Sequence, residues 1–205
     1  MSQSLLYRFP WLYINGLKLY HGQNFENRYR YMASLAKSGN TILEPGCGPA
    51  IIANYLPANS KYTGFDTNNH FVNFAKNKKL AVFYGNVLDK KNYKSSDIIV
   101  ACDILHHLAP ATRKTFIEFC WQNCKHIFIV CDPGKTSLPK KGFWQKLGEW
   151  SEQDGTNKFK SNYFLTKKQL LGQIKNGFGV IKPQIKRTVR EFGEDIVAVF
   201  YKNGK

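Results

Sequence analysis

The stretch TILEPGCGPA, residues 41–50, decides how the whole chain is read. The apolar pair Ile42-Leu43 runs into an acid, a proline and Gly46-x-Gly48, and the apolar run Ile51-Ile52-Ala53 follows. An apolar run closing on Gly-x-Gly ahead of a helical pattern predicts strand, tight turn, helix, with a backbone able to approach a bound ligand closely. Taken alone, the same stretch is also a strand end that merely turns. The segments downstream choose between the two.

Those segments alternate. KYTGFDT (61–67) reads as a second strand, and NHFVNFAKNK (69–78) as a helix with Phe71, Phe74 and Ala75 at helical spacing. LAVFYGNV (80–87) and SDIIVACD (96–103) read as strands three and four; the fourth is almost continuously apolar, as a parallel strand buried on both faces should be. PATRKTFIEFCWQNC (110–124) is a helix with Pro110 in its first turn, and HIFIVCDPG (126–134) a fifth strand. Thr166 is the expected N-cap of the helix KKQLLGQIKNG, which Gly177 ends. GVIKPQIKRTV and DIVAVFYKN close the chain as an antiparallel pair turning near EFGED. Regular β/α alternation with short links predicts an α/β fold, a doubly wound seven-stranded sheet, mostly parallel with an antiparallel final strand and helices on both faces. Residues 1–37 are expected to form an aromatic, basic, helical cover, and about 134–163, rich in Lys, Gly and Ser with interspersed aromatics, an insertion in the domain 38–205.

Composition narrows the setting. The chain has 205 residues, 43% hydrophobic and 21% charged, enough for one domain with a sizeable core. Its 30 Lys+Arg against 14 Asp+Glu give a net charge of +16, which attracts nucleic acid, anionic membrane or phosphorylated substrates, although the lysines are scattered in twos as on a solvated face. Five cysteines (Cys47, Cys102, Cys120, Cys124, Cys131) with no second pair at matching spacing read as buried thiols in a reducing compartment, with no metal site. The N-terminal SLLYRFPWLYINGLKLYHG is too interrupted by Arg8, Pro10, Gly16 and Lys18 to span a membrane and lacks the marks of a signal peptide. It reads as an amphipathic segment packed over the core, or resting on a membrane surface.

In a doubly wound sheet, ligands sit at the carboxyl ends of the strands. Strand one ends in Glu44-Pro45-Gly46-Cys47-Gly48 and strand two in Asp66-Thr67, with Asp66 eighteen positions after Gly48, the place for an acid on ribose hydroxyls. Strand three ends in Gly85-Asn86-Val87, strand four in Cys102-Asp103 leading into Ile104-Leu105-His106-His107-Leu108, and strand five in Asp132-Pro133. A dinucleotide dehydrogenase would want a glycine at position 51, where Ile51 stands.

This ordered set resembles the class I S-adenosylmethionine-dependent methyltransferases over roughly residues 38–201. The family's acid-x-Gly-x-Gly-x-Gly loop is Glu44-x-Gly46-x-Gly48-x-Ala50 here, with Ala50 in place of the third glycine. The resemblance implies S-adenosyl-L-methionine as cofactor. It puts the Glu44–Gly48 loop, Cys47 included, against the methionine part, with Glu44 orienting the loop or meeting the amino group through water. It puts Asp66 on the ribose with Thr67 beside it, Asn86 at the adenine amine, the Val87 N–H at the ring, and Cys102 in the same cofactor-facing set. It also places substrate-facing groups after strand four, so His106, His107 and Asp103 are the catalytic candidates. His106 is a candidate base, and His107 reads more readily as a brace for the next helix. His21 is a further candidate, and Asp132 either joins the site or closes a turn. The favoured acceptor is a small-molecule or lipid-linked substrate, with the N-terminal Trp11, Tyr13 and Leu17 beside Arg8 and Lys18 suited to an anionic membrane interface. An RNA acceptor is the alternative, supported by pI ≈ 9.7, and a non-catalytic scaffold is the alternative of another class. The expected location is cytoplasmic, with or without membrane association, and the oligomeric state stays open.

Overall fold

The computed structural model describes residues 4–134, 164–178 and 186–202. The expected insertion lies outside the described residues beyond Gly134, as does the first part of the penultimate expected strand, residues 179–185. Seven strands form one sheet: β1 Thr41–Pro45, β2 Lys61–Asp66, β3 Val82–Tyr84, β4 Ser96–Cys102, β5 Cys124–Pro133, β6 Lys186–Phe192 and β7 Asp195–Tyr201, in the order β3-β2-β1-β4-β5-β7-β6. β1 to β5 pair in parallel, and β7 lies antiparallel between β5 and β6. The doubly wound α/β fold read from the sequence is therefore the fold observed. The order reverses between β1 and β4, which opens a crevice at their carboxyl ends.

Strand alternation sorts the core into two layers. Ile99 and Ala101 of β4 face Phe116, Ile117 and Cys120 of the helix Pro110–Asn123 and Leu170 and Ile174 of the helix Lys167–Gly177. Ile98, Val100 and Cys102 face Phe25, Tyr29 and Met32 of the helix Gln23–Ser34. In chain order the helices are α1 Leu5–Arg8, α2 Pro10–His21, α3 Gln23–Ser34, α4 Asn69–Asn77, α5 Pro110–Asn123 and α6 Lys167–Gly177. Thr166 caps α6 as expected, in a reciprocal capping box with Gln169. The helix expected after β1 shortens to the single 3-10 turn Ile51–Asn54.

The N-terminal segment packs one face inward. Ile14 and Leu17 lean on the α3 side of the core, and Tyr13 meets Phe71 with ring centroids 5.0 Å apart. Leu17, expected beside Trp11 at an interface, is thus a packing residue, whereas Trp11 is 57% exposed. No helix among the described residues is long and apolar enough to cross a membrane. All five cysteines are buried and unbridged.

Candidate active site

The turn after β1 holds three residues in left-handed backbone: Gly46 (φ 69°), Gly48 (φ 51°) and Ala50 (φ 57°). The third glycine position of the loop pattern is therefore a conformational demand, and Ala50 meets it against its own preference. Gly46 and Cys47 both donate their N–H to the Phe65 carbonyl, at 2.8 and 3.1 Å, which stitches the loop to the end of β2. A Cβ at Gly46 would come 2.8 Å from Ile104 Cδ1. The loop is thus pressed from behind by the segment after β4, and the glycine is required by that packing and by its φ.

Asp66 closes the other side. Its Oδ2 accepts the Gly48 N–H at 2.8 Å and its Oδ1 accepts the Asn68 N–H at 2.7 Å, so both oxygens are held at the cavity wall. Glu44 lies beneath, 3% exposed, accepting from the Tyr62 hydroxyl at 2.5 Å. Burial pushes the Glu44 carboxyl up to about 8; the Tyr62 hydrogen bond opposes this, and the charges of Asp103 and Asp66 add to it. Asn86 Oδ1, the atom expected at the adenine amine, accepts the Leu88 N–H at 2.9 Å. Tyr93 donates to the Val87 carbonyl at 2.7 Å and fixes that residue at the wall.

One cavity gathers Glu44, Gly46, Cys47 and Gly48 with Asp66, Thr67, Asn86 and Val87. Cys102, Asp103 and His107 complete the set brought together from the sequence. His106 is the exception. It is 3% exposed, its Nδ1 lies 3.1 Å from Asp132 Oδ1, and its ring stacks on Phe164. His107 takes the cavity position, with Nε2 3.1 Å from the Tyr7 hydroxyl. His107, expected as a brace, thus faces the cavity and His106, expected as a base, does not, because Leu105–His107 is a 3-10 turn, which rotates successive side chains by about 120°. Asp132, its Oδ1 also accepting the Leu105 N–H at 3.1 Å, closes that turn away from the cavity.

Asp103 (φ 53°) is gripped by Arg28 of α3, whose two terminal nitrogens donate to its two oxygens at 3.0 and 2.8 Å. Burial pushes the Asp103 carboxyl up, but Arg28, with His106 and His21 behind it, holds it below the ordinary value. Arg28 also reaches Asp195 at 3.1 Å, and His21, a site candidate, lies 3.0 Å from Asp195. Tyr7, Tyr13, Tyr29 and Phe71 wall the cavity beside His107. Sequence reasoning missed Tyr7 and Arg28. Arg28 left a trace, a lone cation inside the apolar stripe Phe25, Tyr29, Met32, Ala33; nothing local marks Tyr7. Among the described residues Cys102, Asp103 and Cys131 bring three potential metal-ligand atoms within 4.8 Å, but Arg28 already engages both Asp103 oxygens.

The donor set suits S-adenosylmethionine. The pinned Asp66 offers an acceptor for vicinal hydroxyls, and Glu44, close enough to Asp66 and Asp103 to be raised by their charge, offers a carboxyl that a nearby sulfonium or ammonium would ionise. Residues 43–126 match the family model described as a methyltransferase domain. No curated protein shows significant sequence similarity to the chain. Solved structures share the fold. An S-adenosylmethionine-dependent methyltransferase from Archaeoglobus fulgidus aligns with TM-score 0.66 at 14% identity, covering 93% of this chain and 99% of that one. Human N-acetylserotonin methyltransferase in complex with S-adenosylmethionine aligns with TM-score 0.64 at 13% identity, over 97% of this chain and 58% of that one. Magnesium protoporphyrin IX methyltransferase from Synechocystis PCC 6803, with bound S-adenosylmethionine, aligns with TM-score 0.59 at 13% identity, over 91% and 81%. The family match over residues 43–126, set on this sheet, indicates a methyltransferase domain that uses S-adenosylmethionine.

Proposed function

We propose that the enzyme methylates a hydroxyl of a small-molecule or lipid-linked acceptor, and that Tyr7 and His107 carry the proton away. The observation behind this reading is the Tyr7 hydroxyl 3.1 Å from His107 Nε2 at the cavity wall, next to the segment that holds Asp103. The aromatic wall suits an acceptor with apolar surface. The names of N-acetylserotonin and magnesium protoporphyrin IX methyltransferases point to small-molecule acceptors in proteins of this fold.

When bound, S-adenosylmethionine supplies a methyl group already activated on a sulfonium. Asp66 would hold the ribose, the Gly46–Gly48 backbone the methionine part, and Asn86 and Val87 the adenine. Tyr7 and the aromatic residues around it exclude water. The acceptor hydroxyl donates to the Tyr7 oxygen, and Tyr7 donates to His107 Nε2. During transfer the hydroxyl proton would pass to the Tyr7 oxygen while the Tyr7 proton passes to His107 Nε2. Alignment supplies most of the acceleration and the relay about 10²–10⁴-fold.

Tyr7→Phe tests this cleanly, because the Asn68 side chain donates to the Tyr7 backbone carbonyl, and the substitution keeps that bond. Turnover should fall about 10²–10⁴-fold with cofactor affinity unchanged, His107→Asn should match it, and the double variant should be no worse than either. Turnover should also fall as pH drops through the imidazole range, about 5–8. A flat profile with both variants active would contradict the relay.

A further inference from the structure

Among the described residues, seven large hydrophobic side chains are exposed, and five of them, Leu5 (51%), Phe9 (46%), Trp11 (57%), Leu19 (88%) and Tyr20 (58%), crowd onto α1, α2 and the residue between them. Lys18 and Leu19 lie about two turns beyond Trp11 on the exposed side of α2, with Leu19 turned away from Leu17, which packs on the core with Ile14. Both sides of the helix therefore carry apolar side chains, and among the described residues only the Ile14–Leu17 side is covered. The charge carried by α1 and α2 themselves is basic, and Glu194 of the β6–β7 turn meets only the far end of α2, through Tyr20. Arg8 and Lys18 flank the outer face, and no acidic residue occurs before Glu26.

We infer that the outer face of α1–α2 docks on an anionic lipid bilayer. A tryptophan, two leucines and a phenylalanine beside an arginine and a lysine form the combination that settles at a headgroup boundary, the rings and aliphatics entering the acyl region while the cations meet lipid phosphates. A twelve-residue helix is about 18 Å long, so it lies in the interface plane. The inner side of the same segment supplies Tyr7 and Tyr13 to the cavity wall. Docking would thus bring the acceptor end of the active site to the membrane surface. The source of the acceptor follows, a hydroxyl carried by a membrane lipid, and this part rests on the acceptor reading above.

Flotation of the full chain with vesicles tests it, using phosphatidylcholine with and without phosphatidylglycerol, at low and high salt. The chain should float with the anionic vesicles, and part of that binding should survive high salt, since apolar insertion is not screened. Trp11→Ala with Leu19→Ala should cut the salt-resistant part by about tenfold or more. Both side chains are exposed, so the melting temperature and S-adenosylmethionine affinity should stay unchanged. Lys18→Glu should weaken the salt-sensitive part. Absence of flotation, complete reversal by salt with tight RNA binding in the same buffer, or a dimer abolished by the Trp11/Leu19 pair would each overturn the docking face. A chain that floats while labelled cofactor transfers no methyl to membrane lipid extract supports docking and contradicts the acceptor reading alone.

Discussion

Glu44 sits where three carboxyls share one hollow, and its protonation reports on the cavity. With its carboxyl pushed up from 4.5 to about 8 by burial, the folded ligand-free chain holds a proton there that the unfolded chain loses near pH 4.5. The associated stability is fully present below about pH 4.5 and is lost as pH rises through about 8. Urea denaturation across this range should show that decline, and Glu44→Gln, which keeps an acceptor for Tyr62, should flatten it. A cation in the cavity favours the ionised form, so binding S-adenosylmethionine near pH 7 should release protons. Calorimetry in buffers of different ionisation enthalpy reads this directly; proton uptake, or release persisting in Glu44→Gln, would count against it. Asp66→Ala should weaken cofactor binding by about 1.5–3 kcal/mol and also loosen the loop, because Gly48 and Asn68 both donate to that carboxylate. Gly46→Val should lose cofactor binding. Its Cβ meets Ile104, so lost binding in that variant would report a displaced loop as well as a crowded ligand.

At the scale of elements, the N-terminal helices are locked to the sheet by charge. The Asp195 side chain is fully buried, and the Arg28 guanidinium at 3.1 Å, with His21 Nδ1 at 3.0 Å, offsets its desolvation. Arg28→Met would strand Asp195 and Asp103 together. The expected cost is about 3–5 kcal/mol in urea denaturation, with faster hydrogen exchange across α2 and α3. Adding Asp195→Asn should restore part of the loss; a single variant within about 1 kcal/mol of the parent would show the network to be idle. The elements themselves were largely legible. Buried parallel strands such as Ile98–Cys102 are continuously apolar, and chain order alone carries their last residues to one edge of the sheet. What the sequence concealed is tertiary. Tyr7 and Arg28 reach the site through the docking of α1 and α3, which no local pattern encodes, and the choice between His106 and His107 turns on one step of a 3-10 turn.

Across the whole molecule, the crevice differs in charge from the basic exterior. The net charge is +16, yet the cavity walls carry Glu44, Asp66 and Asp103. That contrast draws a cationic ligand to the carboxyl ends of β1, β2 and β4 while leaving the exterior attractive to anionic surfaces. Salt should therefore weaken cofactor affinity only mildly, since the crevice is partly buried, and weaken association with anionic vesicles steeply; titrations at two ionic strengths compare them. The central claim is that the cofactor lies in this crevice with its sulfur facing the Tyr7–His107 pair. A crystal structure with S-adenosylhomocysteine tests it most directly. The account predicts the ribose hydroxyls on Asp66, the homocysteine along Gly46–Gly48 and the sulfur turned toward Tyr7 and His107; density at another site, or a sulfur turned away from that pair, would contradict it.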